Sequence, residues 1–116
     1  MARIAMAGMI SMLLAGTVMA EEVTITKVFG TELPGQYKHP AAITELANGD
    51  LYLAYYGGSG EYAPDTAVYG ARLKKGSQTW SKPVAIADTP FHSDGNPVVW
   101  QAPDGMVWLF HVVRYG

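Results

Sequence analysis

The chain has 116 residues and a formal net charge of −2, with no cysteine, thirteen glycines and seven prolines. That length allows one modest domain, and a slightly acidic chain without a basic stripe argues against a nucleic-acid partner. Without cysteine there are no disulfides, so stability has to come from apolar burial or from further chain.

The N-terminal segment, MARIAMAGMISMLLAGTVMA, has the layout of a secretory signal peptide. Arg3 is its single basic residue, an apolar run follows, and the segment ends on the small residue Ala20. The apolar run is too short for a comfortable transmembrane span, although a retained N-terminal anchor is the alternative. We expect residues 1–20 to be cleaved near Ala20 and the mature chain, residues 21–116, to be secreted or periplasmic without a membrane span.

The mature chain is predicted to be all-β, because no segment has a helical period of useful length. Strand-like alternation or apolar and aromatic enrichment marks five segments. These predicted strands are residues 23–29, 41–46, 51–56, 66–73 and 80–87. Asn48-Gly49, between the second and third of them, is a strong hairpin signal.

Two stretches repeat the same order of features at a long, regular distance. ITELANGDLYLAYYG and VVWQAPDGMVWLFHVV each contain a β run, a glycine turn and an aromatic-rich β run. Gly49 and Gly105 are 56 positions apart, and Pro40 and Pro97 are 57 apart. A period near fifty with about four strands per unit predicts β-propeller blades. Two ordinary hairpins that share turn chemistry are the alternative.

The length of the chain conflicts with a closed propeller, which has at least four blades. The sequence holds one blade and the first half of another. We therefore expect it to be the N-terminal part of a longer protein, with a complete small sandwich of six or seven strands as the alternative.

The stretch Tyr37-Lys38-His39-Pro40 followed by AAITELANGDLYLAYYGG resembles the start of the sialidase (neuraminidase) superfamily propeller, in its BNR-repeat-like branch. The resemblance covers residues 37–113. It implies the first one and a half blades of a six-bladed propeller, and an exo-α-sialidase type of glycoside hydrolase acting on terminal sugars. Two positions depart from the family pattern. Lys38 stands where classical sialidases have a carboxylate-binding arginine, and KGSQTW, residues 75–80, looks like an eroded Asp-box turn.

The glycine-rich loop in YYGGSGEYAPDTAVYG contains the candidate catalytic residues, Glu61 and Asp65. The resemblance implies that this loop carries the acid/base carboxylate into the central funnel. Partial desolvation over a cavity would raise the pKa of such a carboxyl group. Gly57, Gly58 and Gly60 are expected to let the backbone approach a ligand and adopt positive φ. A solvated charge at Glu61 and a turn cap at Asp65 are the alternatives.

Four further residues are candidate substrate-binding residues: Lys38, His39, Asn96 and Arg114. Lys38 and His39 open the first blade, Asn96 holds the equivalent place in the second, and Arg114 follows the second strand of that blade. Their alternatives are a polar approach to Pro40, a turn cap and a solvated surface charge. The three histidines lack metal-ligand spacing, so a glycan or small sugar is the expected partner, with no metal and no cofactor.

The resemblance also implies a tyrosine nucleophile paired with a glutamate, together with further arginines. These residues would lie beyond residue 116, so the chain alone is predicted to be inactive. A non-catalytic propeller that binds glycan or protein is the main alternative. A polysaccharide-degrading enzyme of different chemistry is the third.

Overall fold

A computed structural model describes residues 22–31 and 34–115, and within these ranges it contains strands and no helix. The predicted all-β class is confirmed. The strands are β1 (Tyr37–Glu45), β2 (Leu51–Gly58), β3 (Ala67–Leu73), β4 (Val84–Ala87), β5 (Ser93–Gln101) and β6 (Val107–Arg114). The predicted signal peptide lies outside the described residues. Across the described part of the chain, no helix has the length and apolar character needed to cross a bilayer.

The strands form two antiparallel sheets, one with the order β1-β2-β3-β4 and one made of β5 and β6. Strand β5 packs across β1, β2 and β3. The second half of β2 is therefore buried, since it has a strand on each side and a further strand across its face. The buried apolar side chains are Leu46, Ala54, Tyr55, Tyr56, Ala67, Val68, Ala71 and Val99.

The two predicted glycine turns have the same hydrogen-bond pattern. The Leu46 carbonyl accepts a bond from the Gly49 amide at 2.7 Å, and the Ala102 carbonyl accepts one from the Gly105 amide at 2.9 Å. Gly49 and Gly105 have φ values of 83° and 90°, a left-handed conformation that glycine adopts without steric cost. The repeat seen in the sequence is thus a repeat of turn geometry.

Each hairpin also has an irregularity of register at its proline. In β1 the register shifts between His39 and Ala41, around Pro40, and in β5 it shifts across Asn96 and Pro97. Proline has no N–H to give to the ladder, so it is accommodated where one extra residue bulges out. Asn96 lies inside the shift in β5, whereas His39 precedes the shift in β1 and still pairs in register with Tyr56.

The predicted strand at residues 23–29 is wrong, because residues 22–31 have no regular secondary structure. Val23 and Ile25 are exposed, and Phe29 packs on Tyr55 with ring centroids 5.8 Å apart. Alternation alone does not make a strand. The apolar face also needs a surface to cover it and a partner strand for its backbone.

The last strand of the first sheet is shorter than predicted, beginning at Val84 rather than at residue 80. Pro83 precedes it and has no amide N–H for the ladder. Two bonds still tie the approach to β3: the Ser81 amide donates to the Arg72 carbonyl at 2.8 Å, and the Arg72 amide donates to the Ser81 hydroxyl oxygen at 3.0 Å.

Candidate functional site

A cavity of about 260 Å³ lies where the two sheets meet. Its lining residues are His39, Tyr56, Glu61, Tyr62, Ser93, Gly95, Asn96, Val112 and Arg114. Four of the predicted site residues are among them: His39, Glu61, Asn96 and Arg114. They come from β1, the β2–β3 loop, β5 and β6, so the fold brings together residues that are far apart in sequence.

His39 is held in the cavity by the strand opposite. Its register partner is Tyr56 on β2, and its Nδ1 lies 3.1 Å from the Tyr56 hydroxyl oxygen. The two rings meet edge to face, with centroids 5.9 Å apart and planes at 84°. This packing fixes the imidazole orientation, so His39 presents a defined edge to the cavity.

Glu61 is presented by the β2–β3 loop, and its carboxylate is surrounded by hydrogen-bond donors and positive charge. The Tyr37 hydroxyl donates to Glu61 Oε2 at 3.2 Å. Hydrogen bonding from Tyr62 is the largest contribution that lowers the pKa of Glu61. Hydrogen bonding from Tyr37 and the charges of His39 and Arg114 lower it further, whereas partial desolvation raises it. The expectation of a raised pKa is wrong, because donors to the ionised form outweigh desolvation.

Arg114, at the end of β6, lies over the ring of Tyr62, with 3.8 Å between the guanidinium carbon and the ring centroid. This cation–π contact holds the flexible arginine at the cavity wall. Tyr62 and Asn96 both line the cavity with positive φ, 67° and 46° respectively. For residues with a side chain this conformation is uncommon, and strained conformations of this kind cluster at functional sites.

Asp65 does not line this cavity. Its two carboxylate oxygens each accept a bond from the Ser59 amide at 3.2 Å, and Oδ1 accepts another from the Ser59 hydroxyl at 2.9 Å. These bonds, the amide bond first, lower the pKa of Asp65. They tie together the two ends of the loop that carries Glu61, and the predicted catalytic role of Asp65 stays a prediction.

Lys38 also lies away from the cavity. Its Nζ donates to the Gly35 carbonyl at 2.6 Å, beside a separate hollow lined by Phe29 and Tyr55 among others. Successive side chains of a strand point to opposite faces. Because His39 faces the cavity, its neighbour Lys38 faces the other side, and a substrate contact for Lys38 stays a prediction.

The glycines before the loop have a different use from the one expected. None of Gly57, Gly58 and Gly60 has positive φ. A Cβ on Gly57 would lie 2.9 Å from the Tyr37 carbonyl oxygen, and one on Gly58 would lie 2.7 Å from Thr66 Oγ1. The glycines of β2 therefore let neighbouring chain segments pack closely, rather than admitting a ligand.

The comparison with known families agrees with this architecture. The family described as BNR repeat-like domain matches residues 49–116. The chain belongs to the BNR repeat-like domain family. The predicted resemblance to the BNR-repeat-like branch of the sialidase superfamily is thereby confirmed. The matched range includes Glu61, Asn96 and Arg114, whereas His39 precedes it. No curated protein and no solved structure matches the chain.

Sequence reasoning missed the tyrosines around the site of this BNR repeat-like domain. Tyr37 is two residues from His39 in β1, and strand periodicity places both on one face. That spacing was a usable signal, since the Tyr37 and His39 rings lie 6.1 Å apart. Tyr56 and Tyr62 had no comparable signal, because their place at the cavity depends on pairing and on the loop path.

Asp94 is a second residue that the sequence did not reveal. Its side chain is fully buried and accepts bonds from the Thr89 amide at 2.6 Å and the Thr89 hydroxyl at 2.9 Å. Its own amide donates to the Thr66 carbonyl at 2.9 Å, and His111 Nδ1 lies 3.3 Å from its Oδ1. Asp94 thus fastens the start of β5 to the end of the β2–β3 loop. In the described ranges, no group of three or more His, Cys, Asp or Glu could hold a metal ion.

Proposed function

We propose that the chain forms the first one and a half blades of a six-bladed sialidase-type β-propeller. The protein is an exported glycoside hydrolase that acts on terminal sugars of glycans. The observation that carries this proposal is the convergence of His39, Glu61, Asn96 and Arg114 on one cavity. Its volume, about 260 Å³, is near the lower end of ligand pockets, roughly 300–1,000 Å³, and suits a single sugar unit.

The second sheet supports the propeller part of the proposal. Val98 and Trp100 pair in register with Phe110 and Trp108, which places all four on one face. All four are about half exposed. In a propeller, an apolar face of this kind packs against the next blade, because each sheet must cover its apolar surface.

The chemistry of the cavity suits an acidic sugar. Arg114 supplies a guanidinium, whose parallel N–H groups match a carboxylate. It takes the carboxylate-binding role that the resemblance to sialidases implies for the position of Lys38, which faces away. Asn96 and His39 supply amide and imidazole groups for sugar hydroxyls.

Glu61 is the proposed acid/base group. A glycosidase acid has to carry a proton until the leaving oxygen takes it, whereas the lowered pKa keeps Glu61 ionised at neutral pH in the free chain. An acidic sugar bound to Arg114 would add negative charge and exclude water, and both changes raise the pKa of Glu61.

The same lowered pKa favours a second candidate, a non-catalytic propeller that binds glycans. An ionised Glu61 beside Arg114 can accept bonds from sugar hydroxyls without any proton transfer. The eroded Asp-box and the lysine at position 38 agree with this candidate as well.

Binding of monosaccharides to the full chain tests the site. We expect saturation-transfer NMR to detect N-acetylneuraminic acid and glucuronic acid more strongly than galactose. Arg114→Gln should lower affinity for the acidic sugars by at least about tenfold. Lys82→Gln is the matched control, because Lys82 is an exposed cation outside the cavity. Equal binding of acidic and neutral sugars, or equal effects of the two variants, would contradict the proposed site.

An activity assay tests the assignment of the nucleophile to later blades separately from the binding site. The full chain should release no fluorophore from an aryl sialoside, since the nucleophile is assigned to later blades. Release above the level of a Glu61→Gln control would show that this chain alone has a complete active site, and the blade assignment would be wrong.

A further inference from the structure

We propose that the chain holds a second sugar unit of its glycan in a hollow beside the cavity, with Phe91 as the stacking surface. This outer hollow, of about 360 Å³, is lined by Tyr62, Pro64, Phe91, His92, Ser93 and Arg114. Three of these residues, Tyr62, Ser93 and Arg114, also line the cavity. A ligand can therefore extend from one space to the other, and the inference rests on the proposed glycan function.

The exposure and the backbone conformation of Phe91 indicate a ligand-binding role. Its side chain is 91% exposed, so it contributes almost nothing to the packed core. Its φ is 63°, in the left-handed region where a bulky residue is a steric outlier. Glycine or asparagine would be better in both respects, because each tolerates this backbone and neither exposes apolar surface.

The surrounding structure holds Phe91 in this conformation. Pro90 and Phe91 are the central residues of a turn closed by a bond from the His92 amide to the Thr89 carbonyl at 3.0 Å. A turn with proline second and positive φ third normally has glycine at the third place. Thr89 is bound in turn by the buried Asp94 carboxylate. A strained residue persists where neighbours determine its conformation, and such residues concentrate at binding sites.

A second residue that lines the outer hollow, Tyr62, is also aromatic and strained. Tyr62 has a φ of 67° and is more than half exposed, while Arg114 covers its ring at 3.8 Å. Pyranose rings have an apolar C–H face and polar edges. The outer hollow offers two aromatic side chains for the apolar face, and an arginine and a serine for the polar edges. This lining fits a sugar better than it fits a purely apolar ligand.

The substrate class follows from this arrangement. An acidic terminal sugar occupies the cavity, and the unit to which it is linked packs against Phe91. The chain therefore selects a disaccharide or longer glycan over the free monosaccharide.

The test compares two ligands on the full chain by calorimetry: the methyl glycoside of N-acetylneuraminic acid, and sialyllactose, which adds two neutral sugars. Wild type should bind sialyllactose about tenfold more tightly. Phe91→Asn should remove this advantage, leave binding of the methyl glycoside unchanged, and leave the melting temperature equal or higher because Asn tolerates the backbone. Ile25→Asn is the control, since Ile25 is 92% exposed and lines neither space.

Each contrary outcome has its own meaning. Equal affinity of wild type for the two ligands overturns the inference and leaves the proposed function standing. A Phe91→Asn variant that melts lower, or weakens both ligands equally, shows a structural role and also overturns it. If wild type binds neither ligand, the proposed function itself is wrong.

Discussion

The two hairpins, β1–β2 and β5–β6, have the same turn chemistry and different surroundings. In each turn, the backbone amide of the residue after the glycine donates a hydrogen bond to the side chain two residues earlier. The Asp50 amide donates to Asn48 and the Met106 amide donates to Asp104, both at 3.0 Å. Beyond that bond the hairpins diverge. The Asp50 side chain is nearly buried, whereas Met106 is more than half exposed.

Asp50 connects its turn to the end of β3, the neighbouring strand, and to the turn that follows it. Its carboxylate accepts bonds from the Lys75 amide and from Arg72 Nε, both at 2.7 Å. Lys75 belongs to the β3–β4 turn, so one side chain links two turns of the same sheet. The comparison teaches that an Asn-Gly or Asp-Gly turn makes a hairpin, and that the side chain after the glycine can link that hairpin to a neighbouring turn, as Asp50 links the first hairpin to the β3–β4 turn.

The largest expected effect comes from replacing the equivalent residues 50 and 106 in turn. Asp50→Ala leaves the Lys75 amide and Arg72 without their acceptor, and we expect the melting temperature of the chain to fall by on the order of 10 °C. Met106→Ala, at an exposed site, should change it very little. Similar losses in the two variants, measured by thermal unfolding, would contradict the comparison.

Lowering the pH should reveal how much the Asp50 carboxylate contributes to stability. The Lys75 amide, followed by Asn48 and Arg72, lowers the pKa of Asp50 below 3.8 in the folded chain. A lowered carboxyl pKa gives stability that is complete above the unfolded value and lost as pH falls through the folded value. The urea midpoint should therefore decline below about pH 4.5, and less steeply in Asp50→Asn. Identical slopes would show that Asp50 does not contribute.

A smaller effect is expected at the contact between the two turns. Gln101 Oε1 accepts a bond from the Ala47 amide at 2.6 Å, and its Nε2 donates to the Gly105 carbonyl at 2.9 Å. Gln101→Ala should lower the free energy of unfolding by about 1–2 kcal/mol. Glu45→Ala, at the exposed equivalent position of β1, is the control. A loss as large in the control would mean that the bridge between turns is not the cause.

The smallest effect is predicted for Tyr55→Phe. Tyr55 is 3% exposed, and its hydroxyl has no hydrogen-bond partner among the described residues. Burial, with a smaller contribution from Tyr69, raises the pKa of Tyr55 to about 12. Removing this hydroxyl should leave the free energy of unfolding equal or raise it by about 1 kcal/mol.

The position equivalent to Tyr55 in the second hairpin is His111, and it sharpens that prediction. Its Nδ1 lies 3.3 Å from Oδ1 of the buried Asp94 but makes no hydrogen bond among the described residues, so His111→Phe should also leave the free energy of unfolding nearly unchanged. Because the pKa of Tyr55 is raised in the folded chain, wild type should also lose stability as pH rises from 10 towards 12. Tyr55→Phe should lose less, and a marked loss for that variant at pH 7 would reveal a partner for the hydroxyl.

Local signals predicted much of the fold. The strand at 51–56 is the greater part of β2, and both glycine turns lie where the sequence places them. These features depend on residues close in sequence, and the conformational preferences of glycine, asparagine and proline determine them. The segment at residues 23–29 has an equally good pattern and forms no strand, because pairing and burial require a partner that alternation does not supply.

The sequence predicted several residues of the candidate site, but it did not predict their arrangement. His39, Glu61, Asn96 and Arg114 line one cavity, while Lys38 and Asp65, chosen by the same reasoning, lie outside it. Strand alternation would have separated Lys38 from His39. The bonds that hold Asp65 to Ser59 depend on the path of the loop and had no sequence signal.

The sequence by itself determined the turns, the alternation of the strands and the repeat, since each follows from interactions within a few residues. Tertiary structure decided which side chains meet, because the residues that line the cavity lie on different strands and one loop, which only the packing of the two sheets brings together. It also decided the direction in which the pKa of Glu61 shifts. Whether desolvation or hydrogen-bond donors dominate the pKa of a carboxyl group depends on which neighbours the fold brings within a few ångströms.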